Sequence, residues 1–455
     1  MPDAHPPNPP ERAPELGTPA YATLPNPPEQ PNPPELPNLP ERVHEVGTPA
    51  YVYDLDEVER CHRTLVSALP RPSRLYYSLK ANPHPAVVTR LSGLGCSLEV
   101  SSPGELATAL KSGVPPETIL YTGPGKRDAE VRDAVAAGVR WFSVDSPHGI
   151  DQVDRAAETA AVTARCLLRL NGHEKTAGQG LTMTGVASQF GADVEWLVAE
   201  PAAFASRPRA RVSGLHLYLG SNLLDEDELV AQFAAALRTA ETAHAVLPDR
   251  IEVLDLGGGF GAPFARSGRL PDLPTLGVRL ASLLDDAFAG WRGGRPVVAF
   301  ESGRFLTATC GSLLTRAVDV KRSHGTQVVV LESGINHLGG MSGLRRLPPL
   351  LPELVPGRGA AGRDTGQDSG QGERSLVTGP LCTPLDTWAR AAVLPPVRPG
   401  DVLRVPNVGA YGLTASLTGF LGHPAPLEVI VEGGEIAEVS RLVWERNAVN
   451  RAEVS

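Results

Sequence analysis

Leu75-Tyr76-Tyr77-Ser78-Leu79-Lys80-Ala81-Asn82-Pro83 is an apolar, aromatic-rich run that ends on a lysine just where the chain turns into Asn-Pro. Such a run favours a pleated strand, and the proline after it stops the strand from continuing. Working outward, the same texture returns at Ser97 to Val100, Ile119 to Thr122, Trp141 to Val144, Cys166 to Leu170, Val212 to Leu219, Ile251 to Leu256 and Val297 to Glu301. Helix-length stretches such as Pro103 to Lys111, Asp225 to Ala245 and Pro274 to Phe288 lie between these runs. Eight strand–helix units in about 230 residues fit a closed (β/α)8 TIM-type barrel better than an open doubly wound sheet.

A barrel makes a demand on the rest of the chain, because its chemistry sits at the C-terminal ends of the strands and phosphate is often held after the seventh and eighth. Lys80 ends the first run. Gly257-Gly258-Gly259-Phe260-Gly261 ends the seventh, and Glu301-Ser302-Gly303-Arg304 ends the eighth. A lone strand-end lysine ordinarily snorkels to water. Beside a glycine run whose backbone N–H groups can approach phosphate oxygens, its amine is placed to form a Schiff base, and the set points to a site for pyridoxal 5'-phosphate. Glu301 would keep the pyridine nitrogen protonated and so strengthen the ring as an electron sink; a rim salt bridge is its plainer use. Arg304 suits phosphate or a substrate carboxylate. Cys382, in Gly379-Pro380-Leu381-Cys382-Thr383-Pro384-Leu385-Asp386, reads equally as a general acid and as a packed free thiol. Tyr411, flanked by glycines in Gly409-Ala410-Tyr411-Gly412, reads equally as a hydroxyl reaching the cofactor and as a packed turn aromatic.

The 455 residues suggest two or three domains, and a net charge of -9 without a Lys/Arg cluster leaves no footprint for nucleic acid. No apolar window reaches the roughly 18 to 20 residues of a membrane span, and no basic-then-apolar signal peptide opens the chain. The five cysteines form no CxxC pair, which argues for reduced thiols in the cytoplasm and against a metal site. Residues 1–43 are Pro-rich and expected to be disordered. They carry an imperfect repeat in which Pro10-Glu11-Arg12 through Gly17-Thr18-Pro19-Ala20-Tyr21 returns as Pro40-Glu41-Arg42 through Gly47-Thr48-Pro49-Ala50-Tyr51. After a lead-in at 44–70, the barrel is expected over 71–305 and a β domain over 306–455, interrupted by a mobile insertion near 356–373 rich in Gly, Arg, Asp and Gln.

Taken in order, Tyr77 to Pro83, Val100-Ser101-Ser102-Pro103-Gly104-Glu105-Leu106, Gly123-Pro124-Gly125-Lys126, Gly214-Leu215-His216 through Gly220-Ser221, the glycine run, Glu301 to Arg304, Gly379 to Asp386 and Gly409 to Gly412 resemble the barrel-fold (fold type III) pyridoxal phosphate decarboxylases, the group of diaminopimelate and ornithine decarboxylases. The resemblance runs from about Thr48 to Trp444. It implies the two-domain architecture shared with alanine racemase, the lead-in strand near Tyr51 joining the β domain, and a homodimer with shared active sites. It further implies that Lys80 carries the cofactor, that Ser221, Gly257, Gly258 and Gly259 hold its phosphate with Tyr411, that Glu301 meets the pyridine nitrogen, and that Cys382 arrives from the opposite subunit as proton donor.

Two departures bear on the substrate. The family's ring-stacking histidine is Tyr218 here, while His216 fills another family histidine position; a phenol keeps the flat face. After the cysteine, where the family carries a glutamate or aspartate for the substrate's distal ammonium, this chain has Thr383, and losing a charge-assisted contact costs about 1.5 to 3 kcal/mol. The Cys382-Thr383-Pro384 version resembles the branch acting in siderophore, aminoglycoside and exopolysaccharide gene clusters, where the amino acid is conjugated to citrate or loaded on a carrier protein. Arg345 and Arg346 lie where the family reads a distal carboxylate. The expected activity is removal of the α-carboxylate of an amino acid or amino acid conjugate in specialised metabolism. The alternatives are diaminopimelate decarboxylase of lysine biosynthesis, an amino acid racemase, and a non-catalytic cofactor-binding regulator.

Overall fold

A computed structural model of the chain describes residues 43–172, 187–339, 352–356 and 372–448. Eight parallel strands form the barrel, Arg74–Ser78, Ser97–Val100, Ile119–Tyr121, Trp141–Val144, Ala164–Asn171, Ala210–Leu217, Val253–Asp255 and Val297–Ser302, and the two-residue Ala192–Asp193 adds to the end of the fifth. Their spatial order is 4-3-2-1-8-7-6-5, and strand four also pairs with strand five from Trp141↔Arg165 to Val144↔Leu168, so the sheet closes on itself. Every strand expected from the sequence is present, with ends differing by at most two residues.

The helices between the strands begin where side chains can satisfy free amides. Ser102 caps Pro103–Lys111, Ser146 caps Pro147–Thr159 and Asp225 caps Glu226–Val246, each accepting from N–H groups of the first turn. Prolines at the start of the first two cost no hydrogen bond there. Inside the barrel, Tyr76, Leu120, Leu167, Val253 and Ala299 form a small apolar cluster of their own. Two residues beyond Ala299, toward the strand C-terminus, the interior turns polar: Glu99, Ser143, His216 and Glu301 come from strands two, four, six and eight and are all buried. Alternate strands supplying one layer is how such barrels fill their interior. Charged and polar groups in that layer are unusual, and they lie under the strand ends where the site is expected.

The second sheet runs, neighbour to neighbour, Thr387–Leu394, Glu373–Thr378, Thr326–Leu331, Gly311–Ser323, Ala50–Asp54, Leu427–Glu432 and Glu435–Arg441, with Val402–Val405 pairing both Gly311–Ser323 and the short Val355–Pro356. The lead-in strand Ala50–Asp54 lies between the first and last thirds of this sheet, antiparallel to one neighbour and parallel to the other. A barrel and a separate β domain are therefore both present, as expected. Val43, assigned by composition to the tail, is instead buried in the helix Val43–Val46, packed with Ala50, Val52, Leu314 and Val429. Its apolar side chain has a face of the second sheet to cover, which composition does not show. The junction expected at 305/306 falls inside the short helix Arg304–Thr307, and the insertion's expected limits, Pro356 and Glu373, both sit in strands. The rest of the tail, its first repeat copy, Arg345, Arg346 and residues 357–371 of the insertion lie outside the described residues.

The loop of the β domain around Gly409 docks on the turn that carries Lys80. Asn82 Nδ2 donates to Gly409 O at 2.9 Å and Tyr411 N donates to Ala81 O at 2.7 Å. Gly409 also packs on the end of the helix Arg304–Thr307, where a Cβ would lie 2.0 Å from Thr307 O.

Candidate active site

Lys80 does not sit on the strand itself. The strand ends at Ser78, and Leu79–Ala81 form a single 3-10 turn that lifts the amine over the barrel mouth. There Nζ donates to Glu99 Oε1 at 3.1 Å and Oε2 at 3.2 Å. The Lys80 side chain keeps 41% of its surface open, whereas that of Glu99 keeps 2%, so the amine faces a cleft and its counter-ion closes the floor. Burial works to raise the Glu99 carboxyl, but the Lys80 charge and hydrogen bonds from Ser78 and Thr122 outweigh it and hold the group at about 2. Burial pulls the Lys80 amine down, while Glu99 and then Glu301 push it up, with a net rise above its ordinary value.

A narrow cleft is lined by Ser78, Lys80, Tyr218, Ser221, Gly258, Gly259, Phe260, Glu301, Ser302, Gly303, Arg304 and Tyr411. Most of the residues singled out by sequence therefore meet in one place. Gly257 supports the cleft from behind: it has φ +67°, its N–H donates to Asp255 Oδ1 at 2.9 Å, and a Cβ would lie 2.4 Å from Leu217 O. A Cβ on Gly258 would lie 2.5 Å from Glu301 O, and one on Gly259 2.5 Å from Gln232 Nε2. The glycine run is thus as much a packing requirement as a cradle. Cys382 is exposed and Thr383 half-buried, and neither lines the cleft of its own chain.

Tyr218 is half-buried, with Lys80 Nζ 5.9 Å from its ring centroid and the Arg169 guanidinium 5.8 Å from it. Arg304 lies 4.7 Å over the Tyr411 ring and 5.6 Å over Phe264, and it has no carboxylate partner among the described residues. Tyr411 holds a left-handed backbone at φ +54°, a strain of order 1 kcal/mol or more that persists only where its surroundings impose it. Burial raises the Tyr411 phenol to about 12 despite the opposing Lys80 and Arg304 charges.

Three participants escaped the sequence reading, Glu99, Asp255 and Ser143, and a fourth, His216, entered it only as filling a family histidine position. The signal was there for two of them, because Ser97-Leu98-Glu99-Val100 and Val253-Leu254-Asp255-Leu256 each place a carboxylate inside an otherwise apolar run, and such charges are seldom fully buried without a purpose. His216 Nδ1 lies 2.7 Å from Ser143 Oγ, and Nε2 lies 3.3 Å from Glu301 Oε1. Burial pushes the Glu301 carboxyl well up, reinforced by Glu99 and Asp255, and raises Asp255 to about 7.

These residues fit pyridoxal phosphate. At one end stand an amine, a flat aromatic ring and the donors of Ser221 and Arg304; at the other, Glu301 Oε1 is buried without a hydrogen-bond partner, an acceptor for a protonated ring nitrogen. Residues 55–308 match the family model described as pyridoxal-dependent decarboxylase, pyridoxal binding domain. The chain is 32% identical to the L-glutamyl-(BtrI acyl-carrier protein) decarboxylase of Niallia circulans, over 87% of this chain and 91% of that protein. It is 30% identical to the diaminopimelate decarboxylase of Methanothermobacter thermautotrophicus, over 86% and 88%. The crystal structure of diaminopimelate decarboxylase from M. jannaschi superposes with a TM-score of 0.73 at 25% identity, covering 87% of this chain and 90% of that one. Strand order, cleft and matched sequence agree, and this chain belongs to the pyridoxal-dependent decarboxylase family.

Proposed function

We propose that the enzyme removes the α-carboxylate of an amino acid whose distal end is conjugated, to a carrier protein or a small acid, rather than that of a free diamine. The observation that carries this reading is the state of Asp386, the carboxylate three residues after Thr383. Asp386 is buried, its Oδ1 accepting from Ile335 N at 2.8 Å and its Oδ2 from Leu381 N at 2.8 Å. Both of its oxygens are engaged in shaping the Cys382 loop, and its burial keeps it from standing in for the missing acid at the surface. A substrate ammonium would therefore meet a hydroxyl where a charge is needed, while a neutral amide or thioester linkage would meet no penalty. The similarity to a carrier-protein glutamyl decarboxylase supports the same reading.

In this reading Lys80 would tether the cofactor, Ser221, Gly258, Gly259, Arg304 and Tyr411 would hold its phosphate, Tyr218 would support its ring and Glu301 would serve its nitrogen. When bound, pyridoxal phosphate supplies an electron sink for the charge left at Cα as carbon dioxide departs. Cys382 of a second copy returns a proton to Cα, and Thr383 borders the distal end of the substrate. Exposure of Cys382 outside its own cleft, together with exposed Leu385, Leu417, Phe420 and Leu421 on the same domain, supports a homodimer with shared sites, and the sparse, unpaired cysteines fit the cytoplasm. No helix among the described residues is long and apolar enough to cross a membrane. We take 71–305 as the cofactor domain and 44–70 with 306–455 as the β domain.

The test is carbon dioxide release from cofactor-loaded protein offered diaminopimelate, ornithine, lysine, free glutamate and a carrier-bound glutamyl thioester in parallel. Release from the conjugate with none from the free diamines is expected. Rapid turnover of diaminopimelate would assign the enzyme to lysine biosynthesis instead.

A further inference from the structure

In and beside the polar layer inside the barrel, three buried atoms lack hydrogen-bond partners among the described residues: His216 Nε2, Glu301 Oε1 and Asp255 Oδ2. The ligating atoms of these three side chains lie within 4.8 Å of one another. The Nε2 to Oε1 distance of 3.3 Å is short, yet the contact is off the line of a hydrogen bond. Leaving such groups unpaired costs about 1 to 3 kcal/mol each, so a small turn of the Glu301 carboxylate onto Nε2 is strongly favoured. On its other side the imidazole meets a hydroxyl, Ser143 Oγ, at 2.7 Å from Nδ1. A hydroxyl both donates and accepts, and that choice of partner has a consequence for Glu301.

We propose that Ser143 and His216 are positioning residues for Glu301: the imidazole stays uncharged and changes tautomer, accepting at Nε2 from Glu301 as a carboxylic acid and donating from Nε2 to Glu301 as a carboxylate. Ser143 turns to match, accepting from Nδ1–H in the first state and donating to Nδ1 in the second. The protons balance. Ser143 keeps its hydroxyl proton, the ring keeps one proton that changes nitrogen, and the Glu301 proton passes to the base that enters the cleft. The row lets Glu301 hold either state while every member stays hydrogen-bonded, and it adds no second buried charge.

The surroundings favour a neutral ring. Burial, and next Arg169, push the His216 imidazolium well down, with Lys80 and Lys126 adding to this and only Glu99 opposing among the principal charges. Glu301 in turn faces Glu99 and Asp255 on one side and Lys80 and Arg169 on the other. Without a base in the cleft, that balance keeps its proton on. A carboxylate-only layer could not do this, because two adjacent carboxylates in a dry site resist full ionisation. The inference rests on the reading of Glu301 as the partner of the cofactor nitrogen.

Histidine-selective 15N NMR of the whole protein tests it, with His216→Gln identifying the resonance. The Nδ1–H tautomer is expected in the apoprotein and the Nε2–H tautomer after loading with pyridoxal phosphate. A doubly protonated ring in either form, or one tautomer in both, would overturn the proposal. Ser143→Ala should weaken cofactor binding by about tenfold, the loss of one hydrogen bond, and Ser143→Thr should restore it; binding by Ser143→Ala equal to the wild type would also overturn it. Failure to take up pyridoxal phosphate at all sinks the site reading along with this one, whereas uptake with an unchanged tautomer sinks the row alone.

Discussion

Replacing Glu99 by glutamine keeps the shape and the acceptor for Thr122 Oγ1, which donates to Glu99 Oε1 at 2.7 Å, but removes the charge under Lys80. Glu99 falls from the ordinary 4.5 to about 2, a shift of roughly 2.5 units, or about 3 kcal/mol at 1.36 kcal/mol per unit. Because the folded pKa is depressed, that stability is fully present above pH 4.5 and is lost as the pH falls through 2. Urea unfolding of the apoprotein at a fixed protein concentration should therefore show Glu99→Gln weaker by about 3 kcal/mol at pH 7, roughly a hundredfold in the unfolding constant. The gap should close as the wild type is acidified below pH 4.5. The same substitution removes the largest influence raising the Lys80 amine, so the pH at which the apoprotein takes up pyridoxal phosphate at half its maximal rate should move down by about a unit or more. A variant within about 0.5 kcal/mol of wild type and with an unshifted uptake profile would refute the claim that the Glu99 charge holds Lys80.

Gly258→Ala puts a Cβ 2.5 Å from Glu301 O, so it should cost about 1 to 3 kcal/mol by overpacking and weaken cofactor binding in a fluorescence titration; unchanged binding would mean the loop is free to move. Burial, aided by Glu438, raises Glu428 from 4.5 to about 7 beside Tyr53. The native state thus holds a proton there, and its contribution is full below pH 4.5 and lost as pH rises through 7. Glu428→Gln should accordingly be more stable than wild type at pH 8 by up to about 3 kcal/mol and nearly equal at pH 4, as read by thermal unfolding at the two pH values; equal melting at pH 8 counts against a buried acid there. Thr383→Glu should raise kcat/KM for a free diamine relative to a conjugate by about tenfold or more, and no change in that ratio would remove Thr383 from the distal pocket.

Much of the fold was legible because the barrel's strands are short apolar runs separated by capped helices, and each run carries its own local signal. Lys80, the glycine run and Glu301 with Arg304 were legible for a related reason: each ends a strand, and closure of the barrel brings strand ends together whatever the loops do. Val43 was misplaced because its burial depends on a sheet face built by residues near 314 and 429, far away in sequence. His216 and Ser143 carry no local signal of partnership, since nothing in Val212 to Leu217 or Trp141 to Val144 says which interior residue each will meet.

The sequence by itself determined the element types, the barrel class, the cofactor and the absence of an acid at position 383, because these follow from periodicity and from residue identity at strand ends. Only the tertiary structure decided that Glu99 pairs with Lys80, that Gly257 packs behind the cleft rather than lining it, that Asp386 is consumed by backbone amides, and that Ser143, His216 and Glu301 form one row. The meeting of Glu99 with Lys80 and of Ser143 with His216 and Glu301 depends on the stagger of strands around a closed barrel, a geometric condition on the whole sheet that no single strand encodes.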